Sequence, residues 1–157
     1  MRVLVTGGAG YVGSHCVRAL HRAGHDVWVF DNLSCGHRQA VPEGRLIVGE
    51  LENQPHLESA LRQHQIEAVL HFAAVAEVGE SVVNPQKYYV NNVVGTLCLL
   101  NAMRAADVRK FVFSSTTATY GVPKTVPIPE EEPQQPISPY GFSKLVVERA
   151  LGDYAHA

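Results

Sequence analysis

The stretch that most constrains this chain is "RVLVTGGAGYVGSH", residues 2–15. A short β-branched run breaks into regularly spaced glycines, and helical periodicity then resumes. Gly7, Gly10 and Gly13 are spaced Gly-x-x-Gly-x-x-Gly, while Gly8, Gly10 and Gly13 also satisfy Gly-x-Gly-x-x-Gly. A strand that turns this tightly into a helix needs small residues for three reasons. The turn must be sharp, an anion must come close to backbone N–H groups at the helix N-terminus, and the helix must pack near the strand. No Lys-Ser/Thr pair follows the last glycine, which disfavours a nucleoside-triphosphate loop. The turn reads as the pyrophosphate end of a dinucleotide site.

Asp31 ends the second apolar run, 18 residues beyond Gly13. A carboxylate there accepts hydrogen bonds from ribose hydroxyls and repels a 2′-phosphate, which favours NAD over NADP. Two alternatives stay open: Asp31 and Asn32 also suit the start of a turn, and His37 and Arg38 are available to a 2′-phosphate.

Further along, apolar runs alternate with amphipathic stretches, the pattern of βαβ units and a parallel sheet. Strands are expected at 2–6, 26–30, 45–49, 68–72 and 110–115. Val12, Cys16, Leu20 and Ala23 mark the first helix, with Gly24 as its C-terminal cap. Leu57, Ala60 and Leu61 mark a short helix with Pro55 in its first turn. A long helix from about 88 to 106 carries Val90, Val93, Val94, Leu97, Leu100 and Met103 on one stripe. The segment "GVPKTVPIPEEEPQQPISP" holds six of the nine prolines and reads as a loop. Ser138 then caps a final helix with Pro139 at its first position. The expected fold is α/β, a Rossmann-type doubly wound parallel sheet in the order 3-2-1-4-5 with right-handed crossovers.

Bulk properties narrow the function classes. The 157 residues suit one domain, and 46% hydrophobic with 18% charged residues is ordinary for a soluble globular protein. A net charge of -2 offers no basic stripe, so no nucleic-acid or membrane partner is expected. No apolar run approaches the roughly 18 residues of a membrane span, and the N-terminus leads directly into the first strand rather than a signal peptide. Three scattered cysteines, Cys16, Cys35 and Cys98, fit reduced thiols and a cytoplasmic setting. The eight histidines form no His-Glu-x-x-His pattern and there is no Cys-x-x-Cys, so no metal site is expected.

The final helix carries the second motif. In "SPYGFSK", Tyr140 and Lys144 lie four apart and share one helix face, where they can touch one ligand together or simply decorate the surface. Upstream, "FSSTTATYG" supplies a cluster of hydroxyls that includes Thr116. Thr116 reads either as a ligand contact or as a strand-end residue that satisfies backbone.

With "VLVTGGAGYVGSH", "DNLS", "HFAAVAEVGESV", "YYVNNVVGTL", "FSSTTATYG" and "SPYGFSK" in this order, the chain resembles the extended short-chain dehydrogenase/reductases, the NAD-dependent epimerase/dehydratase family. "HFAAVAEVGES" with "YYVNNVVGT" narrows the resemblance to the branch that inverts C4 of UDP-sugars. The resemblance implies that Tyr140 is the catalytic acid/base. Lys144 would hold the cofactor ribose, its charge assisting loss of the phenolic proton. Thr116 would hydrogen-bond the reacting hydroxyl, so Thr116 and Tyr140 are the implied substrate contacts. It also implies NAD contacts at Gly7, Gly10, Tyr11, Val12 and Gly13, then at Asp31 and Asn32 for ribose and at Glu50 and Leu51 near adenine. Phe72, Ala73, Ala74, Asn91 and Ser114 would line the rest, with Tyr140 and Lys144. The implied reaction interconverts UDP-glucose and UDP-galactose through a 4-keto sugar, in a homodimer. Another UDP-sugar epimerase, a dehydratase, or a non-catalytic dinucleotide-binding module are the alternatives.

Three departures stand out. Ala76, followed by Glu77, replaces a lysine that many relatives carry, and Glu50 stands where aspartate is usual. The chain also stops at Ala157, where such relatives run about as far again. Residues 1–157 are therefore expected to be an incomplete NAD-binding domain, truncated before strand six. The substrate domain would be absent, and the isolated chain would lack useful epimerase activity.

Overall fold

Five short apolar runs become five strands because each contains a β-branched residue, and all but the fourth, which runs into Phe72 and Ala73, end at a turn former. The computed structural model describes residues 1–156. The strands are β1 (Arg2–Thr6), β2 (Asp26–Asp31), β3 (Leu46–Val48), β4 (Ala68–His71) and β5 (Lys110–Phe113). All pair in parallel in the order β3-β2-β1-β4-β5, as the sequence leads one to expect. The order reverses between β1 and β4, where Thr6 stands opposite His71. In an open parallel sheet a ligand crevice forms beyond the carboxyl ends of the strands at such a reversal.

The chain divides into two compact units. The first comprises Met1–Ala73 and Cys98–Ser114, and the second comprises Ala74–Leu97 with the chain from Ser115 onward. The first holds the whole sheet. Val3, Val5, Val27 and Val29 alternate onto one face and pack with Val17 and Leu20 of helix α1 (Tyr11–Arg22). Leu4, Phe30 and Val69 are also buried. Each fully buried Val or Leu contributes about 1.5–3 kcal/mol.

Helix α1 differs from expectation in the face it buries. Gly13, Ser14 and Val17 point inward, whereas Val12 is 58% exposed. The stripe of larger side chains misleads here because close helix–strand approach needs the face that has no side chain. A Cβ on Gly13 would run into the Gly7 carbonyl. The C-terminus of α1 follows expectation, with Gly24 at φ +79° and His25 N–H donating to Leu20 O at 3.1 Å. Helix α2 (Gln54–Gln63) buries Leu57, Ala60 and Leu61, and Asn53 caps it by accepting from His56 N–H. Strand β5 lies at the sheet edge. Both its faces read as buried in the sequence, but Val112 is 58% exposed and Lys110 is exposed.

The second unit is helical. Helix α3 (Val78–Val83) has no counterpart among the expected elements, because "VGESVV" holds Gly79 and three valines, all weaker helix formers, and no clear stripe. The Ser81 hydroxyl is buried and donates to Val78 O at 2.6 Å. The predicted long helix begins as α4 (Pro85–Tyr88), passes through a π-helical stretch (Tyr89–Val94) and continues as α5 (Gly95–Ala105), where the units divide. The wider turn breaks the expected stripe. Val90 and Val94 are exposed, and Asn92 is buried instead. Helix α6 (Pro139–His156) starts as predicted, with Gly141 N–H donating to Ser138 Oγ at 3.1 Å. Residues 121–138 form neither helix nor strand. Among the described residues no helix is long and apolar enough to cross a membrane.

Candidate functional site

The residues expected to form the site divide between the two units. Gly7, Gly10, Tyr11, Val12, Gly13, Asp31, Asn32, Glu50, Leu51, Phe72, Ala73 and Ser114 belong to the first, and Ala74, Asn91, Thr116, Tyr140 and Lys144 to the second.

In the first unit the glycine turn leaves β1 with Gly7 at φ +71°, held by Gly7 N–H donating to Phe30 O at 2.9 Å. A Cβ on Gly7 would come within 2.5 Å of Ala73 N. Gly10 is the N-cap of α1 and supplies no side chain to its orphan N–H groups, and the first turn carries no acid. Tyr11, 84% exposed, opens the helix toward solvent. A helix N-terminus without a side-chain cap beside a glycine cradle suits a phosphate group. Backbone already meets both oxygens of Asp31. Oδ2 accepts from Ala9 N–H at 2.9 Å and Oδ1 from Leu33 N–H at 2.8 Å, with Leu33 at φ +61°. Asp31 therefore ties the glycine turn to the β2 end, as its turn reading requires, and each of its oxygens keeps a lone pair for another donor. Asn32 Nδ2 donates to Glu50 Oε2 at 2.9 Å, so these two sequence-distant residues meet. Leu51 is buried, and Ser114 N–H donates to His71 O at 3.1 Å.

In the second unit Tyr140 and Lys144 sit one turn apart on α6, as the spacing requires. Lys144 is only 4% exposed. Burial pushes its ammonium down to about 8, and the Glu148 carboxylate one turn further pulls it partly back up. Tyr140 is half-buried, its ring edge-on to that of Tyr88 at 6.4 Å between centroids. Tyr88 is fully buried, and its one hydroxyl proton is shared between Glu77 O at 2.6 Å and Glu80 Oε2 at 2.8 Å. Burial and the Glu80 carboxylate push its phenol up to about 12. Thr116 caps the turn Thr117–Thr119, its Oγ1 accepting from Ala118 N–H at 3.2 Å. That turn packs on the start of α6, where a Cβ on Gly141 would meet Ala118 O at 2.5 Å. The hydroxyl of Thr116 thus combines a backbone-satisfying role with a proton still able to donate. A cavity of about 750 Å³ opens beside it, lined among others by Ser115, Thr116, Tyr120, Glu132, Gln134 and Glu148.

Sequence reasoning missed Asn92. It is 2% exposed, its Nδ2 donates to Val75 O and to Ser143 Oγ, and its Oδ1 accepts from Val75 N–H and from Asn91 Nδ2. Ser143 Oγ in turn donates to Tyr140 O at 2.7 Å. The available signal was a polar residue inside an apolar helical run with Thr96 four residues on. The Thr96 hydroxyl donates to Asn92 O at 2.6 Å within the π-helical stretch. Among the described residues no group of three or more His, Cys, Asp or Glu side chains is placed to hold a metal ion.

Comparison with known proteins gives the family. The sequence profile of the NAD dependent epimerase/dehydratase family matches residues 3–157. The chain belongs to that family. A UDP-glucose 4-epimerase from Rhizobium leguminosarum bv. trifolii is 52% identical over 152 residues, which cover 97% of this chain and 46% of the relative. The crystal structure of UDP-glucose 4-epimerase from Brucella ovis in complex with NAD superposes with a TM-score of 0.97 at 49% identity, covering 99% of this chain and 48% of that one. The Thermotoga maritima UDP-glucose 4-epimerase with UDP-glucose gives a TM-score of 0.94 at 40% identity, covering 99% and 52%. The epimerase/dehydratase family is enzymatic, and this chain spans about half the length of the curated relatives it matches.

Proposed function

We propose that residues 1–157 are the NAD-binding part of a UDP-glucose 4-epimerase, which interconverts UDP-glucose and UDP-galactose through a 4-keto sugar. The observation that carries this reading is a buried Lys144 one helical turn from Tyr140, with the Thr116 turn packed against the same end of α6. A decorative surface pair would not bury its lysine, since an ammonium is costly to desolvate.

The residues present fit a dinucleotide. A Cβ on Gly7 or Gly13 would strike backbone of Ala73 or Gly7, so the tight turn needs these glycines, and α1 offers N–H groups that no side chain caps. Those N–H groups, with Tyr11 and Val12, would hold the pyrophosphate. Asp31 and Asn32 would receive the adenosine ribose, Glu50 and Leu51 would stand near adenine, and Phe72, Ala73 and Ser114 would line the groove. Ala74, Asn91, Tyr140 and Lys144 of the second unit are the further cofactor contacts that the family resemblance implies. NAD, when bound, supplies the acceptor that takes the C4 hydrogen as hydride and returns it. Tyr140 takes the 4-hydroxyl proton and later gives it back. Thr116 orients that hydroxyl by hydrogen bonding. The ammonium of Lys144 favours the ionised phenol and binds ribose hydroxyls.

The chain covers 46% and 48% of the Rhizobium and Brucella relatives, and the remaining sugar-nucleotide contacts are assigned to the part of the family length that it does not match. We further propose a homodimer, supported by the exposed Tyr89, Val90, Val94 and Phe142 of the second unit. The free thiols of Cys16, Cys35 and Cys98 support a cytoplasmic location. Nucleotide released from the purified, denatured protein tests the cofactor assignment: NAD is expected, and NADP at equal yield would overturn it. Conversion of UDP-galactose by the chain extended to family length tests the reaction. Exclusive turnover of another UDP-sugar would reassign the substrate, and no turnover with bound NAD would leave only a binding module.

A further inference from the structure

Glu148 lies two turns beyond Tyr140 and one turn beyond Lys144 on α6, and it is half-buried. Both its oxygens are engaged by segments distant in sequence. Ser115 Oγ donates to Oε1, and Gln134 Nε2 donates to Oε2 at 2.5 Å. Gln134 is steadied from its other end, where Arg149 Nη2 donates to Oε1 at 3.2 Å. Ser115 immediately precedes Thr116, the cap of the turn Thr117–Thr119, and Gln134 lies in the proline-rich loop that leads into α6. One carboxylate therefore gathers the residue before Thr116, the loop before Tyr140, and the helix that bears Tyr140 and Lys144.

We propose that Glu148 is a positioning residue: by receiving Ser115 and Gln134 it fixes α6 against the Thr116 turn, so that Thr116, Tyr140 and Lys144 are presented as one set. The inference deepens the epimerase reading and rests on it for its catalytic meaning. Two features set Glu148 apart from an ordinary surface glutamate. It makes charge-assisted hydrogen bonds, which are stronger than neutral ones and short in reach, so they constrain geometry. It also stands one turn from Lys144, where its negative charge supports the protonated amine against burial. The other charged groups around it are Glu130 and Glu132, which line the same cavity, and Arg149 beside it. Neither glutamate is hydrogen-bonded to Ser115 or Gln134, so neither substitutes for Glu148 at the junction.

Two roles are thereby separable by substitution. Glu148→Gln keeps an acceptor of similar shape for Ser115 but removes the charge. Glu148→Ala removes both. Ser115→Ala removes one tether and leaves the charge, and it serves where Glu148→Ala does not fold. Two readouts on the 157-residue chain need no ligand. In 13C-labelled lysine spectra, the Lys144 titration midpoint should fall by roughly half a pH unit in Glu148→Gln and stay at the parent value in Ser115→Ala. Amide exchange at Ala118 and Thr119 should accelerate about tenfold in Glu148→Ala and in Ser115→Ala, and less in Glu148→Gln. A merely stabilising glutamate would lower the unfolding midpoint without moving the Lys144 titration or singling out that turn. Parental exchange at Ala118 and Thr119 in both tether variants, or an unmoved Lys144 midpoint in Glu148→Gln, overturns the proposal. Failure of the epimerase reading shows separately, as parent protein that retains no NAD.

Discussion

The glycine turn of the first unit and the Tyr140 region of the second build their sites from opposite materials. At the turn, backbone does the work: Gly7, Gly10 and Gly13 contribute the absence of side chains, and even Asp31 is partly spent on the N–H groups of Ala9 and Leu33. Around Tyr140, side chains do the work: Lys144 is buried, Asn92 fills every hydrogen-bonding position it has, and Tyr88 locks its hydroxyl between Glu77 and Glu80. A backbone site is written into the sequence as missing atoms at fixed spacing. A side-chain site depends on which residues burial brings together. The first should fail abruptly on adding an atom, and the second should fail in graded, separable ways.

The largest separation is expected from Tyr140→Phe in a chain of family length. Turnover of UDP-galactose should drop roughly 10²–10⁴-fold, the usual contribution of a general acid/base, while NAD affinity changes far less. Near-parental turnover at neutral pH would show that the phenol is not the base.

Gly7→Ala attacks the other region. It forces an L-residue into φ +71° and drives a Cβ toward Ala73 N. We expect a stability loss of about 3 kcal/mol or more and no measurable NAD binding. Denaturant unfolding with a calorimetric titration reads both, and a folded variant that still binds NAD would break the contrast.

Burial of Lys144 makes a pH prediction. The unfolded chain keeps this proton up to about 10.5 while the folded chain releases it near 8. Between those values the unfolded state holds more protons, so this group makes stability rise with pH across that window, by on the order of 3 kcal/mol in full. Below pH 8 the penalty of the buried charge is fully present. Tyr88 acts oppositely, since its folded phenol ionises only near 12, and its contribution is lost as pH climbs from the ordinary tyrosine range through that value. Lys144→Met should flatten the rise between 8 and 10 in chemical-denaturation midpoints, and an unchanged slope would contradict the assignment.

A smaller effect is expected from Asn92→Ala. It leaves Val75 N–H, Val75 O and Ser143 Oγ without their partner, a loss of about 2 kcal/mol. Thermal unfolding measures it. A change below a few tenths of a kcal/mol would mean that water takes over the bonds and the second region is looser than its hydrogen bonding suggests.

The sequence by itself determined the strands, their order and the glycine turn, because period-two apolar runs, turn glycines and right-handed crossovers admit few alternatives. It also determined that Tyr140 and Lys144 share a face, since helical geometry fixes a spacing of four, and that Ser138 caps their helix. The pairing of Asn32 with Glu50 and the clasp of Ser115 and Gln134 on Glu148 were decided only by tertiary structure, because each joins residues that no local period connects. The inward face of α1 was decided there too: close packing on the Gly7–Gly8 turn selected Gly13 over Val12, against the ranking by hydrophobicity. So was the burial of Asn92, because a π-helical stretch changes which residues face inward, and a stripe drawn at 3.6 residues per turn cannot register the change.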